Sequence, residues 1–141
     1  MVNKRPKVGL GLLLFKDGKI LLAKRKSALG NGEYGGPGGK MEHLESFEDA
    51  LLREVAEECG DQLKITNIQF LCLSNLRMYN PEHYVDIGFT AEWVSGEPKQ
   101  MEPHKHGKWG WYEIDDLPAP LFACEPNYIE AFKTGRKHFA D

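Results

Sequence analysis

The chain has 141 residues, 41% hydrophobic and 28% charged, with a formal charge of -3 and a pI near 6.0, which is the length and composition of one globular domain, residues 1–141, with a real core. That balance excludes the global basic field that draws in nucleic acid or an anionic membrane surface, so any phosphate chemistry needs a local device. No apolar run approaches the roughly 18 residues of a spanning helix, Met1-Val-Asn-Lys-Arg-Pro-Lys7 leads into a strand-like pattern rather than a cleavable signal, and Cys59, Cys72 and Cys124 contain no Cys-x-x-Cys pair, so the expectation is a cytoplasmic protein without a disulfide framework or cysteine zinc site.

Taken in chain order, Val8 to Phe15 and Ile20 to Ala23 are apolar runs around Asp17-Gly18, the signature of a tight hairpin. Gly30 to Gly39 holds six glycines and one proline and reads as a loop. Ser46 to Cys59 reads as a helix: Ser46 with Asp49 resembles a capping box, Leu51, Leu52, Val55 and Cys59 share one arc, and Gly60 sits where a left-handed C-terminal residue belongs. Leu63 to Leu76 and Tyr84 to Trp93 read as strands that pair as neighbours across the turn-like Asn80-Pro81-Glu82. A strand around Trp109 to Glu113 and a helix from about Asn127 to Lys137 complete a mixed order, which favours an α+β or sandwich arrangement over a doubly wound sheet.

At about 100° per residue, placing Glu54 at zero puts Glu57 near 300° and Glu58 near 40°, so three carboxylates share one arc of the helix. Like charges at these spacings repel by several tenths of a kcal/mol per pair, and a cation removes that cost. Hard oxygen ligands grouped this way suit Mg²⁺ or Mn²⁺, which take carboxylates plus substrate phosphate and keep several waters. The plainer alternative is a solvated acidic helix face, which the helix alone favours.

The segment in front changes that balance. Gly39, five residues, Glu45, seven residues, then Arg53-Glu54-Val55-Ala56-Glu57-Glu58-Cys59-Gly60 resembles the Nudix box. The preceding Gly-Pro-Gly-Gly, the hairpin, and the later Trp109-Gly-Trp111-Tyr-Glu-Ile-Asp-Asp-Leu117-Pro118 also resemble the family, so the likeness spans most of the chain. Two positions depart from the pattern: Asp61 stands where an aliphatic residue is usual, and Gly36 where Leu or Phe is usual before Pro37. Two rival motifs fail. Gly30-Asn-Gly32-Glu-Tyr-Gly35 matches a dinucleotide fingerprint, but Pro37 and further glycines follow where a helix should open. A Walker loop ending at Gly39-Lys40 would need glycine at position 34 and Ser or Thr at 41, where Tyr34 and Met41 stand.

The resemblance implies an α+β Nudix fold, a mixed β-sheet sandwiched between α-helices. It also implies a metal site of the Gly38 carbonyl with Glu54, Glu57 and Glu58, joined by Glu102, with Glu97 as the fallback. Arg53 would hold the carboxylates by ion pairs; Glu45 would orient a water, act as base or play a structural part; Glu57 and Glu58 both remain candidates for the base. Arg25 and Lys40 are the phosphate candidates. Tyr34, Phe122 and Asn127 are the picks for the base among many aromatics, most of which belong to the core by default. His104 and His106 invite a zinc reading, but His-x-His without a Cys partner is more often a solvated loop. The implied activity is a Mg²⁺-dependent pyrophosphohydrolase of the nucleoside triphosphate, sanitising type, with Mn²⁺ as a substitute. Its rivals are an ADP-sugar or dinucleoside polyphosphate hydrolase and a non-catalytic nucleotide sensor, the last disfavoured because every box carboxylate is kept. The partner expected is a nucleotide, not a nucleic acid or a membrane, and a homodimer is the family-level expectation.

Overall fold

The structure is a computed structural model that describes residues 4–140; of the expected domain 1–141, residues 1–3 and 141 lie outside the described residues. Strands β1 (Lys7–Lys16) and β2 (Lys19–Lys24) form the expected hairpin. Asp17 and Gly18 both have positive φ (51° and 79°), the conformation a two-residue turn needs to match the strand twist. Two short strands follow, β3 (Tyr34–Gly35) and β4 (Gly38–Lys40), and then helix α1 (Phe47–Cys59). Ser46 caps it, its hydroxyl accepting the Asp49 N–H at 3.1 Å. Strands β5 (Lys64–Leu76), β6 (Tyr84–Ser95) and β7 (Gly110–Glu113), helix α2 (Cys124–Thr134) and strand β8 (His138–Phe139) complete the described chain.

The sheet is mixed. Strands β5 and β6 pair antiparallel, as expected of neighbours, while β1 runs parallel to β6 from Lys7↔Tyr84 to Phe15↔Glu92. The other edge of β1 is divided: its first half pairs with β4 (Gly9↔Lys40 to Gly11↔Gly38) and its end with β2. Between them the Leu12 N–H reaches the Pro37 carbonyl at 2.9 Å. Since β3 pairs with β2 at Ala23 and Lys24, the glycine-rich chain crosses from the edge of one strand to the edge of another, and this places it over α1.

Alternation along β1 sends successive residues to opposite faces, and both faces are covered. Leu10, Leu12 and Leu14 join Leu21, Ala50, Leu51, Val55 and Cys59 on the α1 side. Leu13, Ile20 and Leu22 join Cys124, Tyr128 and Ala131 on the α2 side. Burial on both faces explains why β1 reads as a continuous apolar run. The fold is therefore α+β, a mixed sheet between two helices.

Two local expectations need correction. Helix α2 runs from Cys124 to Thr134 rather than Asn127 to Lys137. Pro126 falls in its first turn, where the missing N–H has no intrahelical partner to lose, and Gly135 ends the helix in the left-handed region. Gly60 has positive φ but extended ψ (88°, 161°), so the chain leaves α1 directly; Lys99 N–H then bonds the Cys59 carbonyl at 2.8 Å.

Candidate active site

Arg53 organises the carboxylates of α1. Its Nε and Nη2 donate to the two oxygens of Glu45 at 2.7 and 2.9 Å, Nη1 reaches Glu54 at 2.9 Å and Glu57 at 3.4 Å, and Nη2 also donates to the Lys40 carbonyl at 3.0 Å. The two-pronged bond uses the planar fork that a guanidinium offers and an ammonium does not. Glu45 is pulled down to a pKa of about 2, first by Arg53 and then by the Glu42 N–H. Glu45 thus braces Arg53 and the loop before α1 and does not line the cavity described next.

Behind this ion-pair cluster Arg53 balances Glu54 only in part, and no ion pair is made by Glu58 among the described residues. Burial raises the pKa of Glu54 despite Arg53. It raises that of Glu58 well above the usual range, with the neighbouring charges of Glu54 and Glu102 adding to the effect and the Gly38 N–H, 3.3 Å from Oε2, opposing it. Both groups hold a negative charge at a cost that a cation would relieve. The donor set is hard oxygen throughout, which fits a divalent ion of the Mg²⁺ kind. Among the described residues no group of three or more His, Cys, Asp or Glu side chains is placed to hold a metal ion by itself, and Mg²⁺ uses few carboxylates with waters and substrate phosphates to complete its shell.

These residues form one end of a cavity of about 740 Å³, lined there by Gly38, Gly39, Lys40, Arg53, Glu54, Glu57, Glu58 and Glu102. Glu102 is fixed by the turn behind it, its carbonyl accepting the Lys105 and His106 N–H groups, whereas Glu97 is exposed and does not line the cavity. The same turn is laddered to the end of β2: Lys26 N–H bonds the Lys105 carbonyl, Gly107 N–H bonds the Lys24 carbonyl, both at 2.8 Å, and Arg25 pairs with His106. The zinc reading finds no support in the arrangement. His104 is exposed, while His106 is buried, donates Nδ1–H to the Gly107 carbonyl at 2.7 Å, and packs on Trp109.

The far end of the cavity is apolar and acidic. Arg25 lines it, but its guanidinium is engaged by the Leu29 carbonyl (3.0 Å) and Ser27 hydroxyl (3.1 Å) and lies over the Phe122 ring at 3.9 Å. Tyr79 stacks on Phe122 with ring centroids 5.8 Å apart, and its hydroxyl donates to Glu33. Phe122 lines the cavity; Tyr34 and Asn127 do not. Tyr34 packs edge-on against Tyr112 in the α2-side core, and the Asn127 amide donates to the Ser74 hydroxyl. Sequence reasoning missed Tyr79, Asp86 and Glu125; Tyr128, one of the aromatics expected in the core by default, is there and also lines the cavity. Asp86 accepts the Tyr128 hydroxyl, and burial lifts its pKa to about 6. The one signal for Asp86 was a charge set inside an apolar strand.

Arg53→Lys keeps the charge and loses the fork, so it should weaken activation by Mg²⁺ by roughly 10- to 100-fold, the usual effect of disturbing groups that orient metal ligands. A titration of turnover against Mg²⁺ reads this, and an unchanged midpoint would remove Arg53 from the site.

The NUDIX domain family matches residues 4–132. An ADP-ribose pyrophosphatase of Methanocaldococcus jannaschii is 32% identical over 121 residues, covering 85% of this chain and 69% of that protein. An oxidized purine nucleoside triphosphate hydrolase of Danio rerio is 33% identical over 111 residues, covering 76% of this chain and 66% of its own length. Among solved structures, a MutT NUDIX hydrolase from Burkholderia pseudomallei superposes with a TM-score of 0.84 at 40% identity, covering 91% of this chain and 98% of that one.

Proposed function

The chain belongs to the NUDIX family and is a hydrolase of that type, and on that premise we propose that residues 1–141 form one domain that cleaves nucleoside triphosphates to a nucleoside monophosphate and pyrophosphate, with Mg²⁺ as the metal and Mn²⁺ able to replace it. The observation that carries the reading is a single cavity whose two ends suit the two ends of a nucleotide. Glu54, Glu57, Glu58 and Glu102 stand at one, with Arg53 and Lys40; aromatic and buried acidic side chains stand at the other.

Within it, Glu54 and Glu58 would hold the divalent ion with Glu57, Glu102 and the Gly38 carbonyl. A divalent ion at such a site neutralises polyphosphate charge and lowers the pKa of a water. Arg53 keeps Glu54 and Glu57 oriented while remaining fixed to Glu45. Lys40 and Arg25 offer positive charge along the wall, Arg25 from a position already tied by Ser27 and Leu29. Glu57 is the half-exposed carboxylate of the set and Glu58 a partly buried one, so both remain candidates for the group that takes the proton of the attacking water. The cytoplasmic location and the homodimer belong to the same proposal.

The ADP-ribose pyrophosphatase relative favours a second reading, the same bond cleavage on an ADP-sugar. Incubating the full chain and Mg²⁺ with nucleoside triphosphates, ADP-ribose and dinucleoside polyphosphates, followed by product analysis, separates these. The expected result is monophosphate plus pyrophosphate from a triphosphate, abolished by chelator and restored by Mg²⁺ or Mn²⁺. Turnover undiminished in chelator, or ADP-ribose as the sole compound cleaved, would overturn it.

A further inference from the structure

Lys105 lines the same cavity as Glu54, Glu58 and Glu102. Its main chain is fixed: the N–H donates to the Glu102 carbonyl and the carbonyl accepts the Lys26 N–H, both at 2.8 Å. Its side chain is not, being 58% exposed with its ammonium 3.4 Å from Glu102 Oε2, a pair of the kind that contributes little to stability. The neighbouring cations are committed elsewhere. Arg53 is shared among Glu45, Glu54, Glu57 and the Lys40 carbonyl, Arg25 is tied to Leu29 and Ser27, and Lys26 Nζ donates to the Pro103 carbonyl at 3.1 Å. A lysine ammonium carries three donors on a flexible four-carbon stem. With its Cα fixed and its head free, Lys105 is a short arm that can serve both the carboxylate it meets and the open cavity beside it.

We propose, resting on the metal and polyphosphate reading above, that Lys105 is a substrate-binding residue that exchanges partners: its ammonium neutralises Glu102 while no metal is bound and passes to a phosphate of the substrate when Glu102 serves the divalent ion. Charge carries the exchange. Glu102 stands near enough to Glu58 for the two charges to repel, so an ammonium on Glu102 eases the crowding of carboxylates in the metal-free protein. A divalent ion eases it more strongly, and an ammonium held against the same carboxylate is then repelled. A polyphosphate in the cavity offers that ammonium a new anion. Lys105 therefore opposes the metal when it arrives alone and favours metal and phosphate together, which couples the two ligands through one side chain.

Calorimetric dissociation constants measured on the full chain, for Mg²⁺ alone and for inorganic pyrophosphate at saturating Mg²⁺, test this without any cleavage. Lys105→Met keeps most of the stem and removes the charge from an exposed position, so the variant should fold. It should bind Mg²⁺ alone roughly 2- to 5-fold more tightly, the worth of an exposed ion pair, and pyrophosphate roughly 10-fold more weakly, the loss of one hydrogen bond to a charged group. Opposite signs in one variant mark the exchange, since a side chain with a structural part alone would weaken both. Lys108→Met is the control: Lys108 is exposed on the same segment and does not line the cavity, so its loss removes an equal charge and should move neither constant to that extent. Either constant unchanged in Lys105→Met, or the same pair of shifts in Lys108→Met, would overturn the assignment. Absence of triphosphate cleavage alongside both shifts would instead overturn the activity and leave the exchange standing.

Discussion

Glu58→Gln is expected to cut kcat on the order of 10²-fold and, in the same protein without metal, to raise the melting temperature. The two effects have one cause. Glu58 is partly buried beside Glu54 and Glu102, and its pKa is raised by loss of solvent first and by those charges next. An amide of the same shape removes the charge that the fold bears at a cost and that a divalent ion needs, so ion and bound water are held less well while the empty protein relaxes. If Mg²⁺ is the ion held here, the rise in melting temperature expected on adding it to the wild type should be smaller in the variant. The pH dependence of the metal-free protein follows the same logic. Glu54 and Glu58 titrate above their ordinary range, Asp86 near 6 and Glu125 near 8. Each folded-state pKa is higher than the unfolded one, so folded protein binds these protons more tightly and stability rises as pH falls from about 8 toward 4.5. Glu45 works in the opposite sense: with a folded pKa of about 2, its contribution is complete above 4.5 and is lost as pH falls toward 2. Melts in chelator should therefore peak near pH 5, and Glu58→Gln should flatten the rise. A variant that melts lower than the wild type in chelator at pH 7 would contradict the account.

Gly38→Ala is expected to lower stability by about 1–3 kcal/mol, the usual cost of overpacking, and to reduce turnover with it. Gly38 pairs with Gly11 of β1, and a Cβ would overlap the Leu10 carbonyl oxygen and come 3.0 Å from the Gly11 Cα. These are backbone atoms of a strand held on both edges, so neither can swing aside. Any displacement of β4 strains the bond from the Gly38 N–H to Glu58 Oε2, 3.3 Å long. Gly32→Ala is the control: φ is +87° and nothing lies within 4 Å, so it bears the left-handed penalty without overlap. Thermal melts of both variants check this, and a Gly38→Ala protein melting with the wild type would show that the approach of β4 to β1 is looser than its geometry.

The box was legible because its chemistry needs fixed offsets on one helix, and Glu54, Glu57 and Glu58 cannot change spacing without leaving the arc they share. The hairpin was legible because Asp17-Gly18 encodes its turn locally. The parallel pairing of β1 with β6 and the division of β1 between β4 and β2 were not, since neither leaves a periodic mark on the strands concerned. Helix α2 starts and ends three residues earlier than expected, since a first turn tolerates Pro126 and Gly135 terminates the helix. The far end of the cavity was the least visible. Tyr79, Asp86, Phe122 and Glu125 come from a turn, a strand, a loop and a helix, and without the fold Tyr34 and Asn127 were equally eligible.

The ladder joining residues 24–26 to 105–107 makes Glu102 and Arg25 parts of one rigid plate. Main-chain bonds on both sides of the Arg25 and His106 pair prevent that wall from parting without breaking several at once. Across the mouth, Tyr79 meets Glu33 and Phe122 through side chains, which rotate far faster than a ladder opens. Parting on the Tyr79 side therefore breaks only side-chain contacts, whereas parting on the other side breaks main-chain bonds.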